Sequence, residues 1–233
     1  MAGPIQILPV VGMPEVSPGV RLAELLAEHA ELAGGDVVVV TQKVVSKAEG
    51  RLVPLDALDQ EARRRLIDSE SARVLRRRGD LVISETSHGF VCANAGIDLS
   101  NVPEGWAALL PLDPDRSARR IRDGLRARTG LDLAIIVSDT FGRPWRQGVT
   151  DVAIGCAGIA AVVDLRGTLD ASGRALVVTE VAVADELAAA AELVMGKASG
   201  VPAAIVRGVD AGWFRDGSVR TEIVRRPGED LFR

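Results

Sequence analysis

With 233 residues, 47% of them hydrophobic and 26% charged, the chain can bury a real core, as one large domain or two small lobes, and intrinsic disorder is excluded. A formal net charge of -4 gives no general attraction to nucleic acid. The apolar stretches stop well short of the roughly 20 residues that span a bilayer, which excludes a membrane-spanning helix.

Residues 5–10 alternate and are rich in β-formers, which predicts a first strand. Ser17 and Pro18 then supply a cap and a first-turn proline for a helix carrying Leu22, Leu25, Leu26 and Leu32, stopped by Gly34 and Gly35. Residues 37–41 form a β-branched run, the pattern of a strand buried on both faces. The segment that follows, 42–51, is polar and runs to a glycine near its end.

Residues 59–78 read as one helix, with Leu66, Ile67, Val74 and Leu75 on one side and arginines on the other. On that reading Arg76, Arg77 and Arg78 are a solvated helix end. Residues 81–84 and 90–93 flank the turn-like Ser87, His88 and Gly89, which predicts a hairpin. Asp113 and Pro114 open an amphipathic helix through Ile121 and Leu125 that Gly130 ends.

Residues 133–137 are an apolar strand leading into Ser138, Asp139 and Thr140, whereas 153–163 is Gly- and Ala-rich and fits strand or helix. Residues 179–195 predict a strong helix with Ala184, Leu187, Ala191 and Val194 on one face and Gly196 at its stop. Residues 203–206 complete the set as a core strand. Irregular alternation of strands and helices with a hairpin favours α+β with mixed sheets and flanking helices over a doubly wound fold.

Three polar segments follow apolar strands, where a sheet scaffold usually carries its reactive groups. In the first, residues 41–51, Lys43 and Lys47 with neighbouring hydroxyls suit phosphate oxygens, and a solvated loop is the plainer alternative. In the second, 94–102, Asp98 and the asparagines offer hard oxygen ligands for Mg²⁺ or Mn²⁺, with a local Asx turn as the alternative. The third, 138–148, joins Asp139 and Thr140 to Arg143 and Arg146. An acid and a hydroxyl there can hold a metal that bridges phosphates, and the arginines can meet substrate anions.

Other chemistries lack their motifs. There is no GxxxxGK[ST] loop, no GxGxxG after a strand and no GxSxG elbow. Cys92 and Cys156 stand in no CxxC or Cys/His cluster, so neither a disulfide framework nor a zinc site is supported and a reducing cytoplasm is expected. His29, in the first helix, and His88, in the turn, are both expected to face solvent.

Taken in order, five blocks resemble the coenzyme F420-0:L-glutamate ligase family: Gly12-Met13-Pro14-Glu15, the stretch from Val45 to Arg51, Asn94-Ala95-Gly96-Ile97-Asp98 through Asn101, Asp139-Thr140 with Gly142-Arg143, and the helix opening at Thr179. The likeness covers about residues 5–208. It implies a mixed α+β fold peculiar to that family, in two lobes, built as a homodimer. It also implies the reaction, GTP-dependent addition of L-glutamate to F420-0 through an acyl phosphate, giving F420-1 and then γ-linked F420-2.

Carried over by position, Met13, Pro14, Glu15, Val16, Gln42, Lys47 and Asn101 would line GTP. Asp98 and Asp139 would hold one Mg²⁺ or Mn²⁺ and Thr140 a second, with Lys47 adding a fixed positive charge to catalysis; K⁺ is a further candidate cofactor. Two positions depart from the family: Gln42 replaces a serine, and Lys197, which cannot ligate a metal while protonated, stands near an acidic position of some members. The resemblance places the whole of 1–233 in one such ligase domain and expects no C-terminal flavin reductase-like domain in this chain. The rival readings are a nucleotide- or deazaflavin-binding partner without catalysis, and an amide ligase of the same fold with another acid substrate.

Overall fold

Four consecutive valines, Val37, Val38, Val39 and Val40, are wholly buried, and the architecture is laid out around them. The computed structural model describes residues 3–56 and 58–231. In chain order these form β1 (Gln6–Pro9), α1 (Leu22–His29), β2 (Val37–Thr41), α2 (Gln42–Ala48), β3 (Leu52–Pro54), α3 (Gln60–Glu70), β4 (Ser71–Arg78), β5 (Leu81–Thr86) and β6 (Val91–Ala93). There follow β7 (Trp106–Ala108), α4 (Pro114–Thr129), β8 (Ala134–Arg143), β9 (Arg146–Ala157), β10 (Val163–Asp164), β11 (Glu180–Val181), α5 (Val183–Met195), β12 (Ala203–Arg207) and α6 (Val219–Glu222).

The main sheet runs β1-β12-β2-β8-β9. Only β2 and β8 pair in parallel, with Val37 opposite Ala134 and Thr41 opposite Ser138; the other pairings are antiparallel. Smaller sheets join β4-β5-β6, β3-β7 and β10-β11. The architecture is α+β with mixed sheets, as the element pattern predicts.

β2 lies inside the sheet with buried residues on both faces, which is why its sequence does not alternate. Its start is fixed by Asp36, a fully buried carboxylate that accepts hydrogen bonds from Arg207 Nε and Nη2, both at 2.8 Å. The α4 helix starts where Asp113 accepts from Arg116 N and stops at left-handed Gly130. Its N-terminal turn packs so closely on β9 that a Cβ on Gly155 would lie 2.3 Å from the carbonyl carbon of Pro114. Asp115, also buried, accepts from the backbone of Cys156 and Val219, so one carboxylate ties α4, β9 and α6 together.

Several expectations need correction. The helix predicted over 59–78 ends at Glu70, and Ser71–Arg78 is strand β4, hydrogen-bonded along β5. In α3 only Ile67 is buried, so a longer apolar stripe would face no core, and pairing with β5 overrides the helical propensity. Arg76, Arg77 and Arg78 are therefore exposed strand residues and not a helix end. The polar segment after β2 is helix α2, and 138–148 is no loop, because β8 continues to Arg143 and turns directly into β9.

The Gly- and Ala-rich stretch from 153, which fitted strand or helix, is strand as far as Ala157. The histidines are not open to solvent. His88 is half-buried, stacked on Phe90 at 5.4 Å with Nε2 2.9 Å from Pro111 O, and burial lowers its pKa. His29 is half-buried too, with Nδ1 2.9 Å from Leu25 O. Among the described residues no helix is long and apolar enough to cross a membrane.

Candidate active site

One edge of the main sheet collects the polar segments. Because β2 and β8 are parallel, the C-terminal end of β2 lies beside the middle of β8, with Thr41 opposite Ser138, and the antiparallel neighbours bring the end of β1 and the start of β12 to the same place. The cavity here is about 560 Å³, and its wall includes Thr41, Asp98, Ser138, Asp139 and Gly200. Asp98 is held in place by its backbone, which exchanges two hydrogen bonds with Ala108 at 2.8 and 3.0 Å.

Three lysines enter the cavity, and each is already paired. Lys43 Nζ lies 2.8 Å from Asp98 Oδ2 and donates to Ser100 Oγ at 2.7 Å. Lys47, whose side chain is 6% exposed at the end of α2, forms an ion pair with Glu15, which is 78% exposed on the segment after β1. Lys197, just past α5, donates to Thr140 Oγ1 and Asp151 Oδ1, both at 2.6 Å, and lies 2.9 Å from Glu192 Oε1. Asp151 sits there because the β8–β9 register sets it opposite Thr140. It also accepts from Ser138 Oγ at 3.0 Å and Thr140 Oγ1 at 2.8 Å.

Comparison with known proteins gives this cavity a context. The profile of the family described as F420-0:Gamma-glutamyl ligase matches residues 11–208. The coenzyme F420:L-glutamate ligase of Methanothermobacter thermautotrophicus is 46% identical over 98% of this chain and 99% of its own length. The proteins of the same name from Methanopyrus kandleri and Haloarcula marismortui are 45% and 41% identical, each over 98% of this chain and over 98% and 96% of their own lengths. The chain belongs to the F420-0:γ-glutamyl ligase family.

It is accordingly an enzyme, a ligase. The positions that the sequence resemblance assigned to the nucleotide of an F420 ligase, Met13, Pro14, Glu15, Val16, Gln42, Lys47 and Asn101, all border the one cavity, and so do Asp98, Asp139 and Thr140. Gln42 is only 2% exposed, and its Nε2 donates to Ser46 Oγ at 2.7 Å and Leu109 O at 3.0 Å, which anchors α2 to the segment after β7. Asn101 is exposed, with a positive φ of 51° that asparagine tolerates. Arg143 and Arg146 lie outside the cavity wall, at the exposed tip of the β8–β9 hairpin, where Arg143 Nη2 donates to Gln147 O at 3.3 Å.

The cavity carboxylates differ in their electrostatics. Burial raises the pKa of Asp139 to about 7; the negative charges of Asp98 and Asp151 push the same way, against a hydrogen bond from Thr140 N and the charge of Lys197. Asp98 is lowered instead: burial works against its ionisation, but hydrogen bonds from Lys43 and Ser100 and the Lys43 charge outweigh it. The 2.7 Å bond from Ser100 N to Asp98 Oδ1 is the Asx turn weighed at the sequence level, and here it shapes the cavity wall. Lys197 is raised, since Asp151 and Glu192 overcome the cost of burying it.

Asp98 and Asp139 fit a divalent ion, because two hard carboxylates face one cavity, and burial first, with the charge of Asp98 adding to it, makes an uncompensated charge on Asp139 costly. Thr140 does not fit a second, since its hydroxyl donates to Asp151 and accepts from the Lys197 ammonium, whose positive charge 2.6 Å away repels another cation. Among the described residues no group of three or more His, Cys, Asp or Glu is arranged to hold a metal, so such an ion would complete its shell with oxygens from bound ligands.

Sequence reasoning missed Asp151 and Glu192 as cavity residues. Neither stands beside a motif, and only the hairpin register and the end of α5 bring them in. Lys43 was visible in the first polar segment but not its bond to Asp98.

Proposed function

We propose that this enzyme joins L-glutamate to coenzyme F420-0, with GTP as phosphoryl donor, giving F420-1 and then γ-linked F420-2. The observation that supports the reading most is the gathering of Asp98, Asp139 and Lys47 around one cavity in a chain so similar to ligases named for F420 and L-glutamate. A carboxylate is a poor electrophile, so its oxygen first attacks the γ-phosphorus of GTP, releasing GDP and leaving an acyl phosphate. The α-amine of glutamate then attacks the acyl carbon, phosphate departs, and the amine gives up a proton.

In this scheme Lys47 leaves Glu15 for a nucleotide phosphate and supplies a buried positive charge where the triphosphate develops negative charge. Met13, Pro14, Val16 and Asn101 seat the nucleotide against the end of β2. Asp98 and Asp139 would hold Mg²⁺ or Mn²⁺, which when bound neutralises phosphate charge. Arg143 and Arg146 receive substrate anions that extend beyond the cavity mouth. The wider proposal is a cytoplasmic homodimer, with K⁺ as an accessory ion.

Incubation with F420-0, L-glutamate, GTP and Mn²⁺, followed by mass spectrometry, tests substrate and reaction together. A mass increment of one glutamate is expected; its absence alongside intact GTP would reject the reading. Asp139→Asn should keep the fold and lose activity by on the order of 100-fold or more, because the ion loses an anionic ligand. Near-normal turnover with unchanged Mn²⁺ dependence would remove Asp139 from the site.

A further inference from the structure

The disagreement at Thr140 carries an inference of its own. An ammonium has three N–H donors. Lys197 Nζ has three oxygens around it, Thr140 Oγ1 and Asp151 Oδ1 at 2.6 Å and Glu192 Oε1 at 2.9 Å. They come from β8, β9 and the end of α5, and the fold brings Thr140 and Asp151 to Lys197 across more than 40 positions of sequence. Asp151 is 2% exposed, and a carboxylate buried that deeply is costly unless it is hydrogen-bonded or paired. Lys197 is the cation that lies on it.

We propose that the Lys197 ammonium is the second cation of this active site, a positive charge tethered to the chain, so that the loaded enzyme takes up one divalent ion, at Asp98 and Asp139, and not two. The proposal rests on the reading of Asp98 and Asp139 as metal ligands but makes a separate claim about number. Two carboxylates and a hydroxyl are the hard oxygen donors that a small divalent ion would use, and the lysine already spends them. Lys197 thereby acts as a positioning residue: it fixes Asp151 and Thr140 and adds charge at one end of the cavity without touching the reacting atoms.

The test is a count of bound Mn²⁺ by equilibrium dialysis and electron paramagnetic resonance, on the full chain with a saturating non-hydrolysable GTP analogue. Wild type is expected to bind one Mn²⁺ per chain. Lys197→Ser, which frees Asp151, Glu192 and Thr140, and Lys197→Glu, which adds a third carboxylate, are each expected to bind two, with spectral broadening from the close pair. Lys197→Arg keeps the charge and should stay at one. Two Mn²⁺ ions in the wild type would overturn the proposal whether or not the variants fold, and so would a natively folded Ser variant that still binds one. Failure of the underlying reading looks different: Asp139→Asn would then bind as many ions as wild type.

Discussion

Asp139 is a carboxylate whose burial disfavours its charged form. Its pKa of about 7 in the folded chain lies above the ordinary value of 3.8, so between those limits the native state holds a proton that the unfolded chain has lost. Stability from this group is therefore full below about pH 4 and falls as pH rises through 7. Thermal melts of metal-free protein in chelator should show that decline, and Asp139→Asn should flatten it; an identical slope in the variant would contradict the assignment. At the hairpin tip, Arg143→Ala and Arg146→Ala are expected to raise the Michaelis constant for F420-0 or glutamate by roughly tenfold, equivalent to about 1.4 kcal/mol, with turnover little changed. Unchanged constants would take both residues out of the substrate site.

Among the elements, the contact between α4 and β9 is the least tolerant. A methyl group on Gly155 would meet Pro114 backbone atoms at 2.3 and 2.4 Å, and backbone cannot rotate away as a side chain can. Gly155→Ala should cost about 1–3 kcal/mol, read as a lower urea midpoint at constant slope. The helix α4 itself was legible because its signals are local: Asp113 caps, Pro114 opens and Gly130 ends it. The β5–β6 hairpin and the valine strand were legible for the same reason. Residues 71–78 were not, since a strand made of arginines around Val74 and Leu75 is decided by its pairing with β5 across the turn at Gly79 and Asp80, and its own apolar spacing fits a helix. The site divides likewise. Asp98 and Asp139 stand in recognisable blocks, while Asp151 and Glu192 become cavity residues only once hairpin and helix have packed.

At the scale of the molecule, the arm between β10 and β11 leaves Leu169, Val177 and Val178 69%, 77% and 82% exposed, more apolar surface than an isolated arm is expected to show water. If the arm serves the homodimer, light scattering coupled to chromatography should give twice the chain mass, and Val177→Asp with Val178→Asp should give the single chain. A monomeric wild type would dismiss the dimer. The ion pairs on the cavity wall have a different consequence. With Lys47 on Glu15, Lys43 on Asp98 and Lys197 on Asp151, all three cavity lysines are engaged in the resting chain, so loading it with the proposed ligands would be an exchange of partners. On the proposed reading a cation arriving at Asp98 liberates the Lys43 ammonium for phosphate, and phosphate drawing Lys43 away bares Asp98 for the cation, so each guest prepares the other's berth. Thermodynamic reciprocity then requires metal and nucleotide to tighten one another's hold by the same factor.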